Sequence, residues 1–178
     1  GAVFLGQNLT KVAHKLVEAG ADLVFQGDSD LFVPYQSELY TEIIVRLMIE
    51  HHPEILLIGS TFMGRELAPL IAARLETGLT AHCIDLIINN DGILEQKIPA
   101  YGGMITIVCP EKRPQMATVA SGVFSNPVLD STRSGEIVLV AVPEKFPLRA
   151  QTLEIVAEKS EGVSLESASV IVAGGAGA

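Results

Sequence analysis

Tryptophan is absent from this sequence, aromatic residues make up 5% of it, and it carries only two cysteines and four histidines. Two cysteines cannot build a disulfide framework. Cys83 and Cys109 sit in the apolar stretches AHCIDLII and ITIVCP, where they read as small buried hydrophobes in a reducing compartment. The histidines His14, His51, His52 and His82 show no metal-ligand spacing, so no metal site is expected. His51 and His52, ahead of Pro53, suit the negative end of a helix dipole. Positive charge is scarce, with 12 Lys and Arg against 21 Asp and Glu, a net charge of -9. That balance argues against a phosphate-neutralising nucleic-acid surface. No apolar run approaches the roughly 18 residues of a membrane span; Ile137 to Val142 and Val170 to Ala173 are strand-sized. No export leader is visible. No Ser/His/Asp set, paired acid or nucleophile elbow stands out, which disfavours a self-contained hydrolase.

What is present is apolar mass: 48% hydrophobic residues in 178 and a mean hydropathy of +0.39, enough for one packed α/β domain. Ala2 to Leu5 reads as a strand, followed by a helix that Asn8 or Thr10 can cap, with Val12, Leu16 and Val17 inward and Gly20 at its end. Ala21 to Phe25 is a second strand, and Asp28 and Asp30 beside Ser29 read as turn formers. A helix is predicted from Ser37 to His51 with Ile43, Ile44, Leu47 and Met48 as its apolar stripe. Pro53 disfavours helical geometry at His52. Ile55 to Ile58 is then a buried strand, a turn follows, and Leu67, Leu70, Ile71 and Leu75 repeat at helical spacing.

This alternation implies parallel pairing with right-handed crossovers. From Ala81 to Val108 the reading changes to antiparallel, with a hairpin at Asn89-Asn90-Asp91-Gly92, whose Asp-Gly suits the positive φ of a primed turn. Arg113 to Arg133 reads as a loop, Glu136 to Val142 as a strand, and Thr152 to Lys159 and Ser169 to Ala173 as closing elements. The expected fold is an α/β, three-layer Rossmann-like domain with a mostly parallel sheet plus an antiparallel hairpin region. Both termini read as cut, because a strand opens the chain and Gly174 to Ala178 follows a strand without the helix that normally comes next.

Two groups could carry chemistry. Gly59 to Glu66 (GSTFMGRE) is a turn entering a helix, where backbone N–H groups, Thr61 and Arg65 can hold a phosphate or carboxylate. The plainer reading is that the glycines only make the turn and Arg65 bridges to a neighbour. Arg113 to Thr118 (RPQMAT) offers a guanidinium, an amide and a hydroxyl for a flavin or nucleotide edge, a subunit contact, or simply a satisfied loop.

The stretch GSTFMGRELAPLIAARLETGLTAHC closely resembles the alpha subunit of electron transfer flavoproteins, as do Pro99 to Gly103 (PAYGG), Arg113 to Val119 with Gly122-Val123-Phe124, and Val170 to Gly177. The resemblance covers essentially the whole chain, most firmly residues 53–124. It implies a flavin electron carrier working as an alpha/beta heterodimer, between an acyl-CoA-type or other flavin dehydrogenase and a downstream oxidoreductase or quinone. It implies FAD, with AMP in the partner beta subunit, and a cytoplasmic location, or the mitochondrial matrix in a eukaryote. Residues 1–168 would be the N-terminal domain, a scaffold and beta-subunit interface, and 169–178 the opening of the FAD domain. Gly174, Gly175 and Gly177 would then contact FAD, and Gly59, Thr61, Arg65 and Arg113 a nucleotide or the other subunit. The chain departs from the family pattern at Ala176, where Arg is usual, at His82, where Asp is usual, and at Ile98, where Arg is usual. The Arg-Pro-Gln-Met-Ala-Thr form is more similar to anaerobic, carnitine- or lactate-type branches, some of which bifurcate electrons. The alternative from the residues alone is a free-standing AMP- or ATP-binding domain.

Overall fold

A computed structural model describes residues 1–9, 12–156, 162–163, 165 and 168–177. The chain divides into two units, Gly1–Leu148 and Arg149–Ala178.

The first unit runs β1 (Ala2–Gly6), α1 (Ala13–Glu18), β2 (Leu23–Asp28), a 3-10 turn (Asp30–Phe32), α2 (Ser37–His51), β3 (Ile55–Gly59), α3 (Phe62–Arg74), β4 (Leu79–Cys83), β5 (Asp85–Ile88), β6 (Leu94–Ala100), β7 (Gly103–Ile107), β8 (Gln115–Val119) and β9 (Glu136–Leu139). The strands form three sheets, ordered β1-β2-β9, β3-β8-β4 and β5-β6-β7. The first two are wholly parallel and the third antiparallel. This is an α/β fold, and the order of its elements follows the expected alternation.

Layering is visible on β2. Successive strand residues point to opposite faces, and Val24 packs with Ala13 and Val17 of α1 while Phe25 joins the larger core with α2 and α3. The first sheet is therefore covered by helices on both sides. The larger core draws Leu39, Ile43, Ile44, Leu47 and Met48 from α2, Leu67, Ile71 and Ala72 from α3, and Met116 from β8. The expected stripe of α2 is buried; on α3, Leu70 lies outward and Ala68 takes the buried place.

Helix ends follow local chemistry. α1 closes at Gly20 with φ +118°, Gly20 N–H donating to Val17 and Ala21 N–H to Leu16, both at 2.9 Å. This double closure needs a left-handed residue, which glycine adopts without strain. At its start, the N-cap is Val12, half exposed, with no side-chain cap; Asn8 lies earlier at φ +60°, and Thr10 is outside the described residues. α2 ends at His52 with φ +45°, whose N–H reaches Met48, and the His51 ring stacks on Phe25 with centroids 4.4 Å apart. Asp28 accepts from the backbone N–H groups of Asn8 and Leu9, and Asp30 from the Gln7 side chain, so the two acids clip the loop after β1.

Three sequence expectations give way. The stretch from Arg113 contains β8, the central strand of the second sheet, with Gln115 to Thr118 all buried. Leu79–Cys83 pairs in parallel with β8, so antiparallel pairing starts only at Asp85. Of the two hairpin turns, the one at Asn89 to Gly92 has positive φ only at Gly92, and Asn89 Oδ1 accepts from Asp91 and Ile93 N–H. Tyr101 and Gly102 carry the positive φ pair of a primed turn. Cys83 is fully buried, whereas Cys109 is only half-buried, and both are free thiols.

β1 and β3 are edge strands of their sheets. Both line one cleft of 920 Å³, floored by α2 side chains including Ile44 and Leu47. In the second unit, Ser169 to Ala173 adopts no strand and Val170 and Val172 are exposed. A four-residue apolar run such as Val170 to Ala173 becomes a strand only with a neighbour to pair with. Residues 152–156 are likewise irregular, and the remainder of that expected element, 157–159, lies outside the described residues.

Candidate functional site

The turn after β3 opens onto a 480 Å³ cleft lined by Ser60, Arg65, Pro69, Leu79, Ala81, His82 and Thr118. It lies at the carboxyl ends of β3, β8 and β4, the end at which open α/β sheets bind ligands.

Three features build it. Thr61 caps α3 by accepting from Gly64 N–H at 3.1 Å. Gly64 is required by the packing, since a Cβ there would lie 1.9 Å from the Gly59 carbonyl oxygen; its role is close helix–strand approach. β4 then carries an irregularity between Thr80 and Cys83, with His82 at φ +60°. The buried Thr118 hydroxyl accepts the His82 N–H at 2.7 Å and holds that conformation in place. Left-handed backbone at a non-glycine residue costs about 1–3 kcal/mol and persists only where surrounding contacts impose it.

Ser60 is the hub. Its N–H donates to Val119 O at 2.7 Å, its Oγ lies 3.0 Å from His82 Nδ1, and Arg65 Nε donates to both its carbonyl and its Oγ, at 3.2 and 3.3 Å. Arg65 fills one of the two acceptor sites on Oγ, so the direction of the Ser60–His82 bond follows the His82 tautomer: with Nδ1 accepting the serine proton, the ring N–H stands on Nε2. A Ser–His contact therefore exists that the sequence did not reveal, since residues 60, 82 and 118 meet only through parallel pairing of β3, β8 and β4. It lacks the third member of a triad: no carboxylate lines the cleft, and an arginine donating into Oγ opposes its nucleophilicity. Nearby, the Tyr35 hydroxyl donates to the Met63 carbonyl. Its pKa is pushed up to about 12 by burial first, then by Glu66 and Tyr40.

The other residues singled out from the sequence lie elsewhere. Gly59 faces the cleft between β1 and β3. Arg113 stands before β8, at the opposite end of the sheet, where it pairs with Glu54 and donates to the carbonyls of Pro110 and Lys112. Gly174, Gly175 and Gly177 belong to the second unit. A Cβ at Gly175 or Gly177 would meet nothing within 4 Å. Among the described residues no group of His, Cys, Asp and Glu could hold a metal, and no helix is long and apolar enough to cross a membrane.

Residues 1–145 match the electron transfer flavoprotein domain. The chain is 44% identical to the electron transfer flavoprotein subunit alpha of Thermoanaerobacterium thermosaccharolyticum, over 99% of this chain and 54% of that protein. It is 42% identical to protein FixB of Clostridium saccharobutylicum, over 99% of this chain and 53% of the relative. Against the lactate dehydrogenase (NAD(+),ferredoxin) subunit LctC of Acetobacterium woodii, identity is 34% over 99% of this chain and 43% of the relative. The chain thus spans about half the length of the curated relatives it matches. Similarity along nearly all of its length to such subunits leaves the free-standing nucleotide-binding alternative without favour. The chain belongs to the electron transfer flavoprotein family.

Proposed function

We propose that these residues serve an electron transfer flavoprotein alpha subunit as its N-terminal scaffold and beta-subunit interface. The observation that carries the reading is sequence identity of 42–44% over 99% of the chain to proteins named as that subunit or as FixB. In the complete protein, FAD carries electrons from an acyl-CoA-type or other flavin dehydrogenase to a downstream oxidoreductase. FAD is held mainly by polypeptide beyond these residues, with Gly174, Gly175 and Gly177 at the opening of its domain and 1–168 as the preceding domain. AMP belongs to the beta subunit, and the assembly works in the cytoplasm, or in the mitochondrial matrix of a eukaryote. Two features support a scaffold role for the first unit: the cleft at Ser60 lacks a complete nucleophilic set, and Arg113 is engaged in the amino-end loop.

The test compares the full-length polypeptide co-expressed with its beta subunit against the 178 residues alone. The full complex should be yellow and reducible by a flavin dehydrogenase with its substrate, and the 178 residues should bind the beta subunit while remaining colourless. Stoichiometric flavin absorbance in the 178 residues alone would overturn the division of labour.

A further inference from the structure

The cleft at Ser60 has a property that the scaffold role does not use. It places two nitrogen-bearing side chains, Arg65 and His82, around one hydroxyl, with no acid among the residues that line it. Arg65 spends only its Nε on the protein, on the Ser60 carbonyl and hydroxyl. Among the described residues the ion pairs involve Arg74, Lys97, Arg113 and Arg133, and Arg65 has none. Its two Nη groups, on an exposed side chain, are therefore available as a planar fork of donors. The His82 ring lines the same cleft, and in the tautomer whose Nδ1 accepts from Ser60 its Nε2–H is a further donor. The donors are also positioned: His82 is fixed by Thr118, which is 2% exposed, and Ser60, which is 6% exposed, ties both side chains together. In a chain of net charge -9, a pocket with donors and no acid runs against the surrounding field, which makes general attraction of anions a poor account of it.

We propose that this cleft binds a small organic oxyanion, a phosphate monoester or carboxylate. Its charged end lies against the Arg65 Nη groups and His82 Nε2, and its apolar body rests on Pro69, Leu79 and Ala81. A volume of 480 Å³ accommodates a metabolite-sized molecule. The side chains supply donors only, apart from the Ser60 and Thr118 hydroxyls, which are already engaged; a neutral or cationic ligand would leave the fork unused. Binding here requires neither FAD nor the beta subunit, so it stands or falls separately from the electron-carrier role.

The experiment is a titration of the isotope-labelled 178-residue chain, read by NMR, with inorganic phosphate, AMP, adenosine and butyrate as separate probes. Saturable shifts centred on Ser60, Arg65, His82 and Thr118 are expected with the anionic probes and not with adenosine. AMP binding more tightly than phosphate identifies a phosphate monoester as the occupant, and butyrate binding more tightly than both identifies a carboxylate. Arg65→Gln should weaken binding about tenfold or more, the scale of lost hydrogen bonds to a charged group. Arg74→Gln, on the same helix and with the same change in net charge, should leave it unchanged. The proposal is overturned by shifts scattered over surface cations, by equal losses in the two variants, or by no saturation at tens of millimolar in the parent chain. The parent-chain shift map carries the test even if Arg65→Gln does not fold. Flavin content of the full complex is measured independently and reports only on the electron-carrier reading.

Discussion

Two glycines of one turn, Gly59 and Gly64, should respond very differently to alanine. At Gly64 the added Cβ would lie 1.9 Å from the Gly59 carbonyl oxygen and 3.1 Å from Ile58 Cγ2. A backbone carbonyl cannot rotate away as a long side chain can, so the amino end of α3 must lift or its first turn must open. Overpacking of this kind costs about 1–3 kcal/mol. Lifting the turn also weakens the Thr61 cap, worth about 1 kcal/mol. Against this, alanine is the better helix former by about 1 kcal/mol. With a backbone atom as the obstacle the upper part of the overpacking range applies, and the net loss is about 2–3 kcal/mol. For a chain of this size that lowers the thermal midpoint by about 5–10 °C. At Gly59 the nearest atom to a new Cβ is Thr61 Cγ2 at 3.8 Å, so Gly59→Ala should stay within about 0.5 kcal/mol. With no tryptophan in the chain, urea unfolding followed by far-ultraviolet circular dichroism is the suitable assay. A Gly64→Ala variant as stable as the parent, or a Gly59→Ala variant as damaged as Gly64→Ala, would refute the close approach as the reason for Gly64.

Other substitutions probe the same framework. Thr118→Val removes the acceptor for the His82 N–H and should cost about 1–2 kcal/mol, with faster hydrogen exchange at the His82 amide; unchanged exchange would show that the loop holds itself. Arg113→Ala breaks an ion pair whose side chains are 36% and 74% exposed, so it should cost no more than about 1 kcal/mol; a larger loss in urea unfolding would mean the amino-end loop depends on it. Tyr35 ionises at about 12 in the folded chain against 10.0 ordinarily. Between those values the unfolded chain has released a proton that the folded chain retains, so this group lowers stability as pH rises from 10 towards 12 and contributes nothing below. Tyr35→Phe should flatten the alkaline fall of the urea midpoint, and an unaltered slope would exclude the residue.

What the sequence disclosed was local. The helical repeat of Ile43, Ile44, Leu47 and Met48 is a property of consecutive turns, and it appears intact as the buried face of α2. β8 was hidden because QMATV contains no sustained apolar run; it is a strand because β3 and β4 pair with it from both sides. The cleft was half legible. Arg65 lies in the recognisable turn, but His82 and Thr118 are 22 and 58 residues from Ser60 in sequence, and only strand pairing brings them to it. The closing run VIVA carries the composition of a strand without a ladder to join, and composition alone could not distinguish the two.

The edge strands β1 and β3 have a consequence for handling the molecule. Each is a short apolar ribbon, AVFLG and ILLIG, without a charge or a proline. Those are the features by which natural sheets turn away foreign strands. As edge strands, each leaves one side of its backbone outside the ladder of its own sheet. Prepared in isolation the domain should grow stickier with concentration, and a single lysine placed on either ribbon should act as its preservative.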